Sequence, residues 1–172
     1  GSVGTSQLAD SSVTSAKLSG VTEGITEADM WRLSAGIAIS SATTTTLGSN
    51  WERVDDATFS KIGTGMTESS GIFTFPSTGY YMVGVFNSYT TTDANRTNAV
   101  RLYVTTDNST YYNIGASSVN ASDDGGSSNS FGGIYSEYLI DVTNTSNVKV
   151  KFDAIANNNA VTYNGSTSST SD

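Results

Sequence analysis

The chain has 172 residues and contains neither cysteine nor histidine. The first absence excludes disulfides, thiolate nucleophiles and cysteine-bound zinc or iron. The second removes the usual general base and the commonest metal ligand, so neither a Ser-His-Asp triad nor a zinc hydrolase site can be assembled. Cations are scarce too: eight Lys and Arg against sixteen Asp and Glu give a net charge of -8. Nucleic-acid recognition needs a concentrated basic face, and these cations are scattered, so no nucleic-acid partner is expected. No apolar run comes near the roughly eighteen residues of a membrane span. The opening "GSVGTSQLAD" shows neither the charged nor the apolar region of a signal peptide. No membrane insertion is expected. The single proline, Pro76, is confined to a strand end or an edge.

What the sequence does have is Ser, Thr, Gly and Asn, in clusters that separate short alternating runs. Setting "VGTSQLADSS" over "VTSAKLSGVT" places Val3 on Val13 and Leu8 on Leu18, a repeat of ten residues. One Val and one Leu per repeat cannot build a core within one chain. Residues 1–30 are therefore expected to be a shaft or attachment segment, ordered against other chains or against the neighbouring domain, with Val3, Leu8, Val13 and Leu18 as its contacts. A flexible Ser/Thr linker is the plainer alternative. In "TEADMWRL", Thr26 with Asp29 three residues on reads as the start of a short helix or turn.

From Trp31 onward the period is two. "WRLSAGIAI" puts Trp31, Leu33, Ala35, Ile37 and Ile39 on one face and predicts a strand. Further strands are expected at "WERV", "TFSKI", "IFTFP", "YYMVGVFNSY", "AVRLYVTT", "YYNIGASSV", "FGGIYSEYLIDV", "VKVKFDAIA" and "AVTYN", with "TTDNST" as a hairpin loop. No repeating rung argues for a β-helix. Residues 31–172 thus read as an all-β, antiparallel sandwich of jelly-roll type, with long loops at "NSYTTTDANRTN" and "VNASDDGGSSNSFGG".

One run breaks the alternation. From Tyr80, the row Tyr81, Val83, Val85 and the row Tyr80, Met82, Phe86 are both apolar, whereas a surface strand should leave one row polar. A segment of the same chain or a neighbouring molecule has to cover the second row.

The spacing of Gly71, Phe73, Pro76, Gly79 and Tyr81 in "GIFTFPSTGYY" resembles the signature strand of the globular heads of complement first component and their relatives. That family has the trimeric jelly roll shared with tumour necrosis factor. The resemblance implies that Tyr81, Val83 and Val85 belong to the core, and that Tyr80, Met82 and Phe86 face neighbours around a threefold axis. Members of that family finish with an apolar strand that closes the inner sheet, where this chain reads "NGSTSSTSD". The N-terminal decamers resemble the shafts of bacteriophage tail and head fibres. Together these likenesses imply a virion fibre, extracellular and homotrimeric. Its jelly-roll head would bind a host-surface receptor or glycan, and its N-terminal segment would attach to other virion proteins. A capsid fibre or decoration protein without specific receptor binding is one alternative, and a carbohydrate-active enzyme is another.

Loop aromatics and arginine on a rigid sandwich are common partner anchors, which nominates Tyr89, Arg96, Tyr111, Tyr112 and Phe131 for receptor binding. Asp123 and Asp124 in "SDDGGSS" could offer oxygens to calcium, but a solvated turn explains them as well, and no cofactor is expected. A glycosidase would need two carboxylates about 5 to 10 Å apart. Glu137 in "YSEYLI" is the most suggestive, yet an outward Glu on an alternating strand is ordinary, and no enzymatic activity is expected.

Overall fold

The computed structural model describes residues 4, 8–9, 12–14, 17, 24–54, 61–91, 95–121 and 130–166. Among them twelve strands follow one another: β1 Trp31–Leu33, β2 Ile37–Ile39, β3 Thr43–Thr46, β4 Trp51–Arg53, β5 Thr67–Ser69, β6 Ile72–Thr74, β7 Gly79–Thr91, β8 Asn95–Thr105, β9 Tyr111–Ala121, β10 Ser130–Val142, β11 Lys149–Ala156 and β12 Val161–Tyr163. Two sheets form the sandwich. One has the order β10-β7-β12-β2; the other runs β5-β6-β11-β8-β9, with β3 also paired to β11. Every pairing between strands is antiparallel. β5-β6 and β8-β9 are hairpins, the second closed by the expected "TTDNST" loop, whereas the other neighbours in each sheet are distant in sequence. The chain crosses repeatedly between sheets, and the domain is an antiparallel jelly roll, as expected.

The alternating rows fill the space between the sheets. Val85 and Tyr89 from β7, Ile134, Ile140 and Val142 from β10, Val100 and Leu102 from β8, and Val150, Phe152 and Ala154 from β11 are all buried. One end is closed by aromatic edges: Trp31 and Trp51 meet Phe73 at 5.6 and 5.1 Å between ring centres, and Phe73 meets Phe152 at 5.9 Å. Such T-shaped pairs add stabilisation beyond the area they bury.

Several positions of the signature spacing have a local cause. Gly71 turns the chain between β5 and β6 at φ +81°, and a Cβ there would lie 2.4 Å from the Leu47 carbonyl oxygen. Only glycine tolerates both. Phe73 enters the aromatic cluster, and Pro76 follows the end of β6. The Tyr81 hydroxyl donates to the Ser77 carbonyl at 3.1 Å, tying the start of β7 to the turn before it.

Several local expectations change. "WRLSAGIAI" is two strands in different sheets, since β1 pairs with β4 and β2 with β12. Thr26 starts no helix; Ala28 instead forms a β-bridge with Ile62. The Glu27 carboxylate accepts from the Gly65 amide at 3.0 Å. Asp29 accepts from the Arg53 Nε, the Met66 amide and the Trp31 indole at 3.0, 2.8 and 3.0 Å. Two carboxylates thus bond a neighbouring strand and loop rather than capping their own turn. Burial pushes the Asp29 carboxyl up, but the hydrogen bonds from Arg53, Met66 and Trp31 outweigh it and hold the group below its ordinary range. The strand expected at "AVTYN" is β12, which supplies buried Val161 and Tyr163 between β7 and β2. "TFSKI" lies mostly outside the described residues.

Candidate interaction face

β7 and β10 run side by side over thirteen paired positions. Their register decides what stands together on the outer side of the four-stranded sheet. Tyr80 pairs with Asp141, Met82 with Leu139, Gly84 with Glu137, Phe86 with Tyr135, Ser88 with Gly133 and Thr90 with Phe131. β12 and β2 extend this side with Thr162 and Ala38, which pair with each other. The inward row is Tyr81, Val83 and Val85, which pack on the core. Both rows of the strand are therefore apolar, and among the described residues only the inward one is covered.

The exposure is large where it counts. Tyr80 is 74 %, Met82 63 %, Phe86 73 %, Phe131 72 %, Tyr135 56 % and Leu139 64 % accessible. Single exposed hydrophobics are common on protein surfaces, but a contiguous set on one flat sheet face marks an interaction site. Tyr135 and Leu139 escaped the sequence reading. The signal was present, because Phe131, Tyr135 and Leu139 recur at even spacing opposite the core row Ile134, Tyr138 and Ile140. What period two could not supply was the register that sets them against β7.

Two carboxylates interrupt the face, Glu137 and Asp141, and both are exposed. The Tyr135 hydroxyl donates to Glu137 Oε2. That bond, followed by partial burial and the nearby negative charge, raises the Tyr135 phenol above its usual range. Asp141 lies four residues from Glu137 on the same row, about 13 Å along an extended strand. That separation exceeds what a pair of glycosidase carboxylates spans.

The receptor-binding candidates scatter. Tyr89 is a core residue, not a loop anchor: it is fully buried, its ring lies 6.3 Å from Tyr163, and it packs over Gly132, where a Cβ would overlap the ring. The expected loop "NSYTTTDANRTN" is largely strand, with β7 running to Thr91 and β8 starting at Asn95. Phe131 belongs to the apolar face just described. Tyr112 is exposed on β9. Tyr111, beside it, is half-buried with the Lys151 ammonium 5.3 Å from its ring, and burial raises its phenol. The Arg96 side chain lies outside the described residues, as do Asp123, Asp124, Val3 and Leu18. Leu8 and Val13 are exposed. Among the described residues, no three acidic side chains come together as metal ligands would.

No family model and no curated protein sequence matches the chain. Among solved structures, murine APRIL at pH 5.0 superposes with a TM-score of 0.47 and 11% identity, over 76% of this chain and 98% of that one. Murine APRIL at pH 8.5 gives 0.44 and 10% over the same shares. Similarity at this level adds nothing to the strand order, which carries the jelly-roll assignment by itself.

Proposed function

We propose that this chain is the head of a homotrimeric virion fibre, without enzymatic activity or a cofactor. It is held to other virion proteins by its N-terminal segment and binds a host-surface receptor or glycan. One observation carries the reading: the outer side of the β10-β7-β12-β2 sheet is apolar along most of β7 and β10 and is left exposed by the described residues. Burying Tyr80, Met82 and Phe86 alone would contribute about 1.5–3 kcal/mol each. Closed rings of identical chains are the common way to bury such a face. A head with three equal sites gains avidity over any single weak site. The ten-residue repeats ahead of the head support a shaft that orders alongside other chains.

Solution mass tests the reading. Light scattering is expected to give about three times the 17.9 kDa of one chain. Met82→Lys is expected to give monomers of unchanged circular dichroism. Ser109→Lys, on the exposed hairpin loop, keeps the assembly. A wild-type chain that stays monomeric at high concentration sinks the proposal.

A further inference from the structure

The described part of the outer face of the four-stranded sheet carries charge of one sign only. Its rows hold Glu137 and Asp141 from β10, whereas β7, β12 and β2 contribute Tyr80, Met82, Gly84, Phe86, Ser88, Thr90, Thr162 and Ala38. The titratable neighbours of Glu137 are Tyr135 on its own strand and Tyr80 and Asp141 farther along the face. β9, packed along β10 from the other sheet, brings tyrosines and no charge. No Lys or Arg stands on the described part of this face.

Glu137 occupies a particular place. It sits opposite Gly84, with Met82 and Leu139 paired on one side and Phe86 and Tyr135 on the other. Beyond the Glu137 methylene, Gly84 opens the surface, since a Cβ there would touch nothing closer than 3.8 Å. An incoming surface that covers the flanking pairs must therefore also cover the carboxylate. One hydrogen bond, from Tyr135, stabilises it.

We infer that assembly through this face is tightened by acid, with Glu137 as the principal proton acceptor. The inference rests on the reading of the face as an interface between copies. In the free chain the carboxylate is exposed to water. In the assembly the charge leaves water beside apolar groups, where an unpaired anion is penalised. Protonation removes the penalty and lets the acid group donate a hydrogen bond. The assembled form therefore binds more protons than the free form, and by linkage association strengthens as pH falls. Asp141, at the end of the face, contributes in the same direction but less. With three copies the term counts three times, so the proton dependence of the assembly exceeds that of one site.

Sedimentation equilibrium of the full chain at about pH 7.5 and about pH 5 tests this, the lower value lying above the ordinary carboxylate range so that exposed acids stay charged. The wild-type dissociation concentration is expected to fall about tenfold or more at the lower pH. Glu137→Gln is expected to assemble at neutral pH as tightly as the wild type does in acid, and to lose most of the pH dependence. Asp141→Asn is expected to keep most of it. Both side chains are exposed in the free chain, and thermal unfolding of the variants confirms intact folds. Assembly that is equally tight at both pH values, or weakened by Glu137→Gln, overturns the inference. So does assembly that responds to millimolar calcium and not to pH, which would give the carboxylates to a metal. A chain that never assembles in any buffer instead defeats the reading of the face itself.

Discussion

The outer sides of the two sheets carry opposite designs. On the β5-β6-β11-β8-β9 sheet, Lys151 lies 3.2 Å from Asp153, which also accepts from the Thr46 hydroxyl at 2.7 Å, and β3 covers the end of β11. The same ammonium lies 5.1 Å from the Tyr103 ring. Asp153, the buried carboxylate on that side, has its partners in its own chain. On the β10-β7-β12-β2 sheet six large hydrophobics face outward, and the two charges among the described residues there are both negative. A side that has satisfied its polar groups internally is finished for water. A side that leaves Met82, Phe86 and Leu139 exposed is finished only by another molecule.

Adjacent residues of β10 give the sharpest break. Ile134 points into the core at 2 % exposure, and Tyr135 points outward. Ile134→Ala is expected to cost about 2–5 kcal/mol in urea unfolding, from lost transfer energy plus the cavity left behind. Tyr135→Ala is expected to change the unfolding of the isolated chain by no more than about 0.5 kcal/mol, while weakening assembly at least as visibly as Ile134→Ala weakens the fold. Equal unfolding costs for the two would erase the distinction between covered and uncovered rows.

The distinction was partly legible in sequence. Period two identified most of the long strands, and the doubly apolar run from Tyr80 announced that β7 serves two surfaces. The far end of β7 was misread because its inward row turns polar: Asn87 and Thr91 are buried beside Tyr89. Polar residues inside a sandwich look like a loop when only hydrophobicity is counted, and the Thr91 hydroxyl finds its acceptor as far away as Ala160. Tyr135 and Leu139 joined the face through register, which is a property of paired strands and not of either strand alone. The region around Asp29 was misread for a related reason. Thr26 and Asp29 have helix-capping spacing, but Arg53, Met66 and Trp31 claim the carboxylate first.

That carboxylate provides the next test, a charge buried and paired inside one chain to set against Glu137. Asp29 is 5 % exposed as a side chain and Arg53 25 %. The guanidinium also lies 4.6 Å from the Trp31 ring and donates to the Met66 carbonyl. Arg53→Ala is expected to destabilise the chain by about 2 kcal/mol, less than a fully buried pair because the guanidinium is partly solvated. The depressed Asp29 carboxyl contributes stability that is fully present above the unfolded-state value of about 4 and is lost as pH falls through the lower folded value. Urea midpoints measured from about pH 5 downward should therefore drop in the wild type and drop less in Asp29→Asn. Acid thus loosens this contact in the same molecule whose outer face it is expected to tighten, in a lower range of pH.

The smallest effect belongs to the finished side. Lys151 has Asp153 and the Thr46 hydroxyl within 3.4 Å and two tyrosine rings beside it. Its removal leaves Asp153 the hydrogen bond from Thr46. Lys151→Gln is expected to cost no more than about 1 kcal/mol in urea unfolding and to leave the assembly mass unchanged at any pH. A loss of assembly in this variant would mean that the polar side also meets a neighbouring copy, and the contrast between the two sheets would no longer separate inside from interface.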